Sequence, residues 1–336
     1  MRIDLILTGG TICSFETDGT RRADAARARS LLESQYFAAH PDADVQFHTQ
    51  MPLDRLSEDL TPGDWHVLLR ALSEIPTDET AGILIAHGTD TLEQTAAMLS
   101  AALAGIPVPV ILVSAMAPPQ HPRTNAHANF AAAVSLLQAR LAGGVYAVSR
   151  NTDGITYLHA GALLRRCLNG SEDFFSDTMQ PLDAVLAAPR VRGQKNTRFA
   201  LRATEYDRAV TLLYPYNGLR YDKVLLDDTA AVLQMTYHSE TANARPDSPY
   251  SVHTLLCRAK AGGIPVYLAP CSEKSQTYGS ARDLVQAGAV PLCMPAPLAY
   301  GALWVGAQYG FTGDALTAFV RETAQRVTEN SFRCCM

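Results

Sequence analysis

No C-x-x-C pair occurs among the seven cysteines, which stand at positions 13, 167, 257, 271, 293, 334 and 335. An odd count without close pairs gives neither a zinc site nor a disulfide framework. It predicts a reduced, cytoplasmic setting in which Cys334 and Cys335 are two thiols on a tail. A basic stripe is missing too: the arginines are scattered and the formal charge is 28 − 33 = −5. That argues against a nucleic-acid groove and for a small-molecule partner. The first ten residues place one basic and one acidic residue around a short apolar run ending in Gly9-Gly10, so no signal peptide and no membrane association are expected. There is no repeat at solenoid periods and no low-complexity tract.

What is present is an ordinary globular composition, 47% apolar and 18% charged over 336 residues. It excludes disorder and is long enough for two domains with a cleft. Apolar runs at residues 3–7, 83–86, 109–113 and 145–148 have the length and continuity of buried parallel strands. Helical patterns lie between them. Thr61-Pro62-Gly63-Asp64 reads as an N-cap, a first-turn proline and a capping-box acid leading into Trp65, Leu68 and Leu72. Two further stripes, Leu92, Ala96, Leu99 and Leu103, then Phe130, Val134, Leu137 and Leu141, repeat at i, i+4, i+7 and i+11. This alternation predicts an α/β fold: a larger N-terminal domain with a mostly parallel sheet flanked by helices, plus a smaller C-terminal α/β domain. The rhythm breaks at Arg190, Arg192, Gly193, Gln194, Lys195 and Asn196. It resumes with residues 209–213 and 224–226, a helix over 252–261, a strand over 264–268, a helix near 281–286 and a last helix from Pro297. The expected division is 1–185 for the first domain, 186–208 for a linker and 209–336 for the second.

Two motifs carry chemistry. The first strand runs into Thr8-Gly9-Gly10-Thr11-Ile12, where paired glycines let the backbone turn sharply, approach a ligand and leave amide N–H groups bare. Neither G-x-x-x-x-G-K-[ST] nor G-x-G-x-x-G can be written there, so a phosphate loop is not expected. The bland reading is a glycine turn. The second motif, His87-Gly88-Thr89-Asp90-Thr91, joins the strand at 83–86 to the Leu92 helix, which puts a hydroxyl and a carboxylate at the carboxyl edge of the sheet beside a helix N-terminus. Taken singly, Asp90 and Thr91 read first as helix caps, and His87 as a packed strand-end histidine, ahead of any functional role.

Together, these two motifs, about eighty residues apart, resemble the threonine signatures of the L-asparaginase/glutaminase family, and the pair is far more specific than either alone. Leu56-Ser57-Glu58-Asp59-Leu60-Thr61-Pro62-Gly63-Asp64-Trp65 is similar to the family's D-S-[SQ]-[DN]-M-T-P-x-D-W segment. Val113-Ser114-Ala115-Met116 and Gly263-Ile264-Pro265-Val266 extend the likeness along the whole chain, to a divergent member similar to the cytoplasmic type I enzymes. The resemblance implies hydrolysis of the side-chain amide of L-asparagine, or a close analogue, to the acid and ammonia through a covalent acyl-enzyme. By position, Thr11 is the implied nucleophile and Thr89 and Asp90 its catalytic partners. The Gly10-Thr11 turn and the Thr89 N–H are the implied oxyanion donors. Ser57 and Gly88 would hold the substrate α-carboxylate and Asp90 its ammonium, with Glu58 beside them. No cofactor or metal is implied; a homodimer or homotetramer is.

The sequence departs from that pattern in three places. Relatives carry a tyrosine on a loop about a dozen residues after the nucleophile, whereas no tyrosine occurs from Ile12 to Gln35, and Tyr36 follows an Ala/Arg/Leu-rich stretch that looks helical. Counting back from Phe174-Phe175-Ser176 puts Arg165, or Arg166 with a one-residue shift, where many relatives have lysine; arginine does not give up its proton. The stretch from Pro122 to Asn129 lacks the usual aspartate-glycine. Two other classes stay open: a non-catalytic amino-acid-binding or regulatory protein of the same fold, and the amidase subunit of a tRNA-dependent amidotransferase. The latter is disfavoured because the chain starts on its first strand and has no basic surface signature.

Overall fold

The computed structural model describes residues 1–188, 197–204, 206–272 and 277–333. Residues 189–196 and 205 of the expected linker and the Cys334–Cys335 pair lie outside the described residues. The chain forms two compact units, Met1–Arg202 with Arg326–Met336, and Ala203–Gln325.

The first unit runs β1 (Arg2–Leu7), β2 (Ser14–Thr17), β3 (Thr20–Ala23), α1 (Ala25–Ala39), β4 (Gln46–Gln50), α2 (Pro62–Ser73), β5 (Ile83–Ala86), α3 (Leu92–Ala102), β6 (Pro109–Val113), α4 (Ala126–Gln138), β7 (Gly144–Arg150), β8 (Thr156–Ala160), β9 (Gln180–Pro181) and α5 (Leu182–Ala187). Seven strands make one sheet in the order β4-β1-β5-β6-β7-β8-β9. The first five strands of that order pair in parallel, while β8 and β9 add antiparallel. Burial explains the apolar runs. Ile3, Leu5 and Leu7 point into a core shared with Ala28 and Leu32 of α1 and Phe130 and Val134 of α4. The intervening Ile6, Ile83 and Ile85 are equally buried, as period-two strands covered on both faces require.

The capping box of α2 is formed as read: Asp64 accepts the Thr61 backbone N–H at 2.8 Å. Trp65 Nε1 then donates to Thr95 Oγ1 of α3 at 3.2 Å, tying the two helices together. One feature of the topology positions the site. After β1 the chain crosses to β4 on one side, whereas β5 lies on the other side of β1 and leads away to β6. The ends of β1 and β5 therefore flank a point where strand order reverses, the crevice in which open α/β sheets bind ligands.

The second unit contains β10 (Ala209–Leu213), β11 (Thr229–Met235), α6 (Val252–Ala261), β12 (Val266–Ala269), α7 (Gly279–Gln286), β13 (Val290–Pro291), α8 (Ala296–Gln308) and the part of α9 (Gly313–Arg333) before Arg326, from which residue the helix belongs to the first unit. Its four strands are all parallel, in chain order, over a core that includes Val232, Leu255, Val266, Leu268 and Leu284. Two expectations need correction. Residues 224–226 are not a strand: Leu225 is 79% exposed and Asp227-Asp228 follow in a turn, with φ 55 at Asp228. The strand is β11, whose Thr-Ala-Ala start and buried Gln234 disguise it as less apolar than it is. The helix from 297 begins one residue earlier and is not the last, because α9 follows. Among the described residues no helix is long and apolar enough to cross a membrane.

Candidate active site

β1 and β5 lie side by side with Leu7 opposite Ala86. The register continues past both strand ends, since Thr8 N–H donates to the Ala86 carbonyl at 3.0 Å. Both motifs thus leave the sheet at one edge. They then touch, and only glycine permits it. A Cβ built on Gly10 would stand 2.2 Å from the Gly88 Cα, and one on Gly88 would stand 2.4 Å from Ser57 Oγ. Gly10 also has φ 73, in the left-handed region.

Each glycine carbonyl is held. That of Gly10 accepts the Cys13 N–H at 3.0 Å and the Ser14 hydroxyl at 2.7 Å. That of Gly88 lies 2.8 Å from His87 Nδ1, and because a carbonyl only accepts, Nδ1 carries the proton. In a planar trans peptide the following N–H points opposite to the carbonyl. Among the described residues, the N–H groups and hydroxyls of both Thr11 and Thr89 have no hydrogen-bond partner. Two threonines at one sheet edge therefore present four unused polar groups.

Ser57, buried on the turn before α2, locks onto the second motif. Its hydroxyl donates to Asp90 Oδ2 at 3.1 Å and accepts the Asp90 N–H at 3.1 Å, while its carbonyl accepts the Thr91 hydroxyl at 3.0 Å. Glu58 is exposed beside it and makes no hydrogen bond or ion pair among the described residues. A cavity of roughly 320 Å³ is lined by Thr89, Asp90, Met116, Arg166 and the loop from Cys167 to Ser171; Thr11 stands half-buried outside that lining. Gly10, next to Thr11, thus meets Gly88, Gly88 meets Ser57, and Thr89 and Asp90 line the cavity, whereas Glu58 is absent from its lining.

The structure also resolves the departures. Arg165 pairs with Asp177 on the surface, while Arg166 lines the cavity. Tyr36 is 5% exposed and sits in an aromatic cluster with Phe37, Phe47 and Phe130, so it is a core residue of α1. The segment after Thr11 is instead a closed hairpin, β2 with β3, turning at Asp18-Gly19. In the stretch lacking aspartate-glycine, Asn125 Oδ1 accepts the Met116 N–H at 3.0 Å and Asn129 bridges the Ser114 carbonyl and the Arg150 N–H. Two asparagines thereby hold the loop that brings Met116 to the cavity. Sequence reading missed Ser14 and Glu93. Glu93, in the first turn of α3, is 3% exposed with Oε2 unpartnered among the described residues; burial raises its pKa and Arg166 is among the groups that pull it back.

His87 and His159 are both buried, and burial lowers each to about 4. His159 pairs with the Ser176 hydroxyl at 2.9 Å. A histidine whose folded pKa is depressed binds its proton more readily when unfolded. Its contribution to stability is therefore complete above the unfolded value, about 6.5, and is lost as pH falls toward 4. Two such groups are expected to steepen the fall in unfolding free energy by up to about 2.7 kcal/mol per pH unit in this window. Urea unfolding from pH 7 to 4 checks this, and His159→Gln should remove about half of that slope.

Known proteins can be compared with this geometry. The family profile described as "Asparaginase, N-terminal" matches residues 2–197. One subunit of the glutamyl-tRNA(Gln) amidotransferase of Saccharolobus solfataricus is 30% identical over 233 residues, 66% of this chain and 51% of that protein; the chain spans about half the length of this curated relative. Among solved structures, the thermostable L-asparaginase from Thermococcus kodakarensis superposes with a TM-score of 0.71 at 22% identity, covering 96% of both chains. L-asparaginase I from Vibrio cholerae superposes at 0.70 with 20% identity, covering 96% of this chain and 97% of its own. These two likenesses speak to the fold, and the profile match over more than half of the residues speaks to descent. On that ground the chain is a member of the asparaginase family.

Proposed function

We propose that the protein is an amidohydrolase that cleaves the side-chain amide of L-asparagine or a close analogue, with Thr11 as nucleophile. The observation that carries this reading is the backbone contact of Gly10 with Gly88, which leaves Thr11 and Thr89 at one strand edge with unspent hydroxyls and N–H groups. Thr11 Oγ1 attacks the amide carbon, and the carbonyl oxygen takes up negative charge against the Thr11 and Thr89 N–H groups. Each such donor is worth roughly 3–4 kcal/mol where one has been removed. Collapse of the adduct expels ammonia and leaves an acyl ester on Thr11, which water then hydrolyses. Asp90, fixed by Ser57, receives the substrate ammonium, and Ser57 and Gly88 form the floor beneath its carboxylate. Water accepts the Thr11 proton and passes it to the leaving amide nitrogen, which departs as ammonia, since no tyrosine stands on the hairpin. The protein acts as a homodimer or homotetramer, which light scattering checks.

An ammonia-release screen over asparagine, glutamine, their D-forms and small amides tests the reading; no release from any of them at high enzyme concentration would refute it. The likeness to an amidotransferase component favours a second reading, in which the amide is cleaved to supply ammonia to a partner enzyme. Under that reading free asparagine turns over slowly and the rate rises when the partner enzyme is added.

Arg166 sets a further expectation. A guanidinium lining one cavity with Thr89 and Asp90 stabilises charge but moves no proton, whereas an amine shifted in pKa moves one. Arg166→Lys is expected to raise kcat several-fold and to add an alkaline limb to its pH profile. An unchanged profile would show that the cation acts by charge alone.

A further inference from the structure

We infer that Ser14 is a positioning residue for the oxyanion donors, acting through the Gly10–Thr11 peptide. The inference rests on the threonine-nucleophile reading above and adds to it a residue outside both signatures. Ser14 is fully buried, and its hydroxyl spends its proton on the Gly10 carbonyl at 2.7 Å, on the same oxygen that accepts the Cys13 N–H at 3.0 Å. The other end of Gly10 is tied as well, its N–H donating to the Arg55 carbonyl at 2.7 Å. Three hydrogen bonds thus fix one glycine that has no side chain to hold it and that sits in the left-handed region. Because the peptide is planar, fixing the Gly10 carbonyl fixes the direction of the Thr11 N–H. A preorganised donor is effective only when its aim does not have to be found during the reaction.

A serine hydroxyl bonded back to residue i−4 is also a common way to satisfy a buried polar group, so the test must separate aim from mere satisfaction. Ser100 supplies the matched control: it is buried in α3, and its hydroxyl donates to the Ala96 carbonyl, also i−4 and also at 2.7 Å. Steady-state ammonia release is measured for the full chain and for Ser14→Ala, Ser14→Cys and Ser100→Ala, with urea unfolding of each. The expected result is a roughly ten- to hundredfold loss of kcat in Ser14→Ala with KM within twofold of the parent. Ser14→Cys, with a weaker donor of similar shape, should fall between, and Ser100→Ala should keep the parent kcat at a similar cost in stability. A kcat loss in Ser14→Ala under fivefold relative to Ser100→Ala, or a loss appearing in KM alone, overturns the inference while leaving the amidohydrolase reading standing. A parent protein that releases no ammonia from any amide ends both, and is recognised because the unaltered chain itself is silent.

Discussion

Thr11→Val is expected to lower ammonia release by roughly 10³-fold or more, the scale on which loss of a nucleophile is felt, while the protein stays folded. Valine matches threonine in shape and removes only the hydroxyl. That hydroxyl has no hydrogen-bond partner among the described residues, so its loss is expected to change unfolding free energy by less than about 0.5 kcal/mol. The combination is diagnostic, because a residue kept for structure would show the opposite pattern. Thr89→Val is expected to behave similarly, since its hydroxyl is also unspent among the described residues and the residue lines the cavity with Asp90. Single-turnover ammonia release and urea midpoints for both variants make the check. Undiminished turnover in the two would remove the threonine chemistry altogether, whatever the family membership.

Gly10→Ala is expected to cost about 2–4 kcal/mol and to abolish activity. Roughly 1 kcal/mol comes from placing a Cβ at φ 73, and roughly 1–3 kcal/mol from overpacking. The obstacle is backbone: the new methyl would stand 2.2 Å from Gly88 Cα and 2.3 Å from Gly88 N. Neither can rotate away as a side chain would, so relief requires β1 and β5 to part at the edge where Thr11 and Thr89 meet. Gly19→Ala is the control. Gly19 has φ 72 but nothing within 4 Å of the position its Cβ would take, so it should pay only the conformational part and keep its activity. Urea unfolding of the two variants separates strain from contact. Equal destabilisation in both would mean that the Gly10–Gly88 approach is not a constraint.

Legibility in the sequence followed local chemistry. The capping box at Thr61 and Asp64, the strand at 83–86 and the helix at 252–261 were readable because each is set by neighbours in sequence, through a cap or an unbroken apolar run. β11 was not readable, because its burial comes from β10, β12 and the helices over it while its own composition includes Thr229 and Gln234. The same distinction holds at the site. Glycines next to threonines announce two turns, but nothing local says that Gly10 will lie against Gly88. Ser14 and Glu93 gave no signal, since an isolated serine or glutamate reads as surface until its burial is known. Arg165 and Arg166 were interchangeable by counting, and the folded loop separated them, pairing one with Asp177 and setting the other in the lining of the cavity.

The order of residues by itself determined the fold class, the placement of two glycine–threonine turns at strand ends and the family likeness, because these depend on periodicity and on the short-range steric rules of glycine, proline and the caps. Only the tertiary structure decided that the two turns share an edge, that Ser57 is spent on Asp90, that Tyr36 belongs to an aromatic core and that Arg166 rather than Arg165 lines the cavity with Thr89. Those facts depend on which strands become neighbours. Strand order follows from the joint burial of every apolar face in the sheet, a property of the whole chain that no short window of sequence contains.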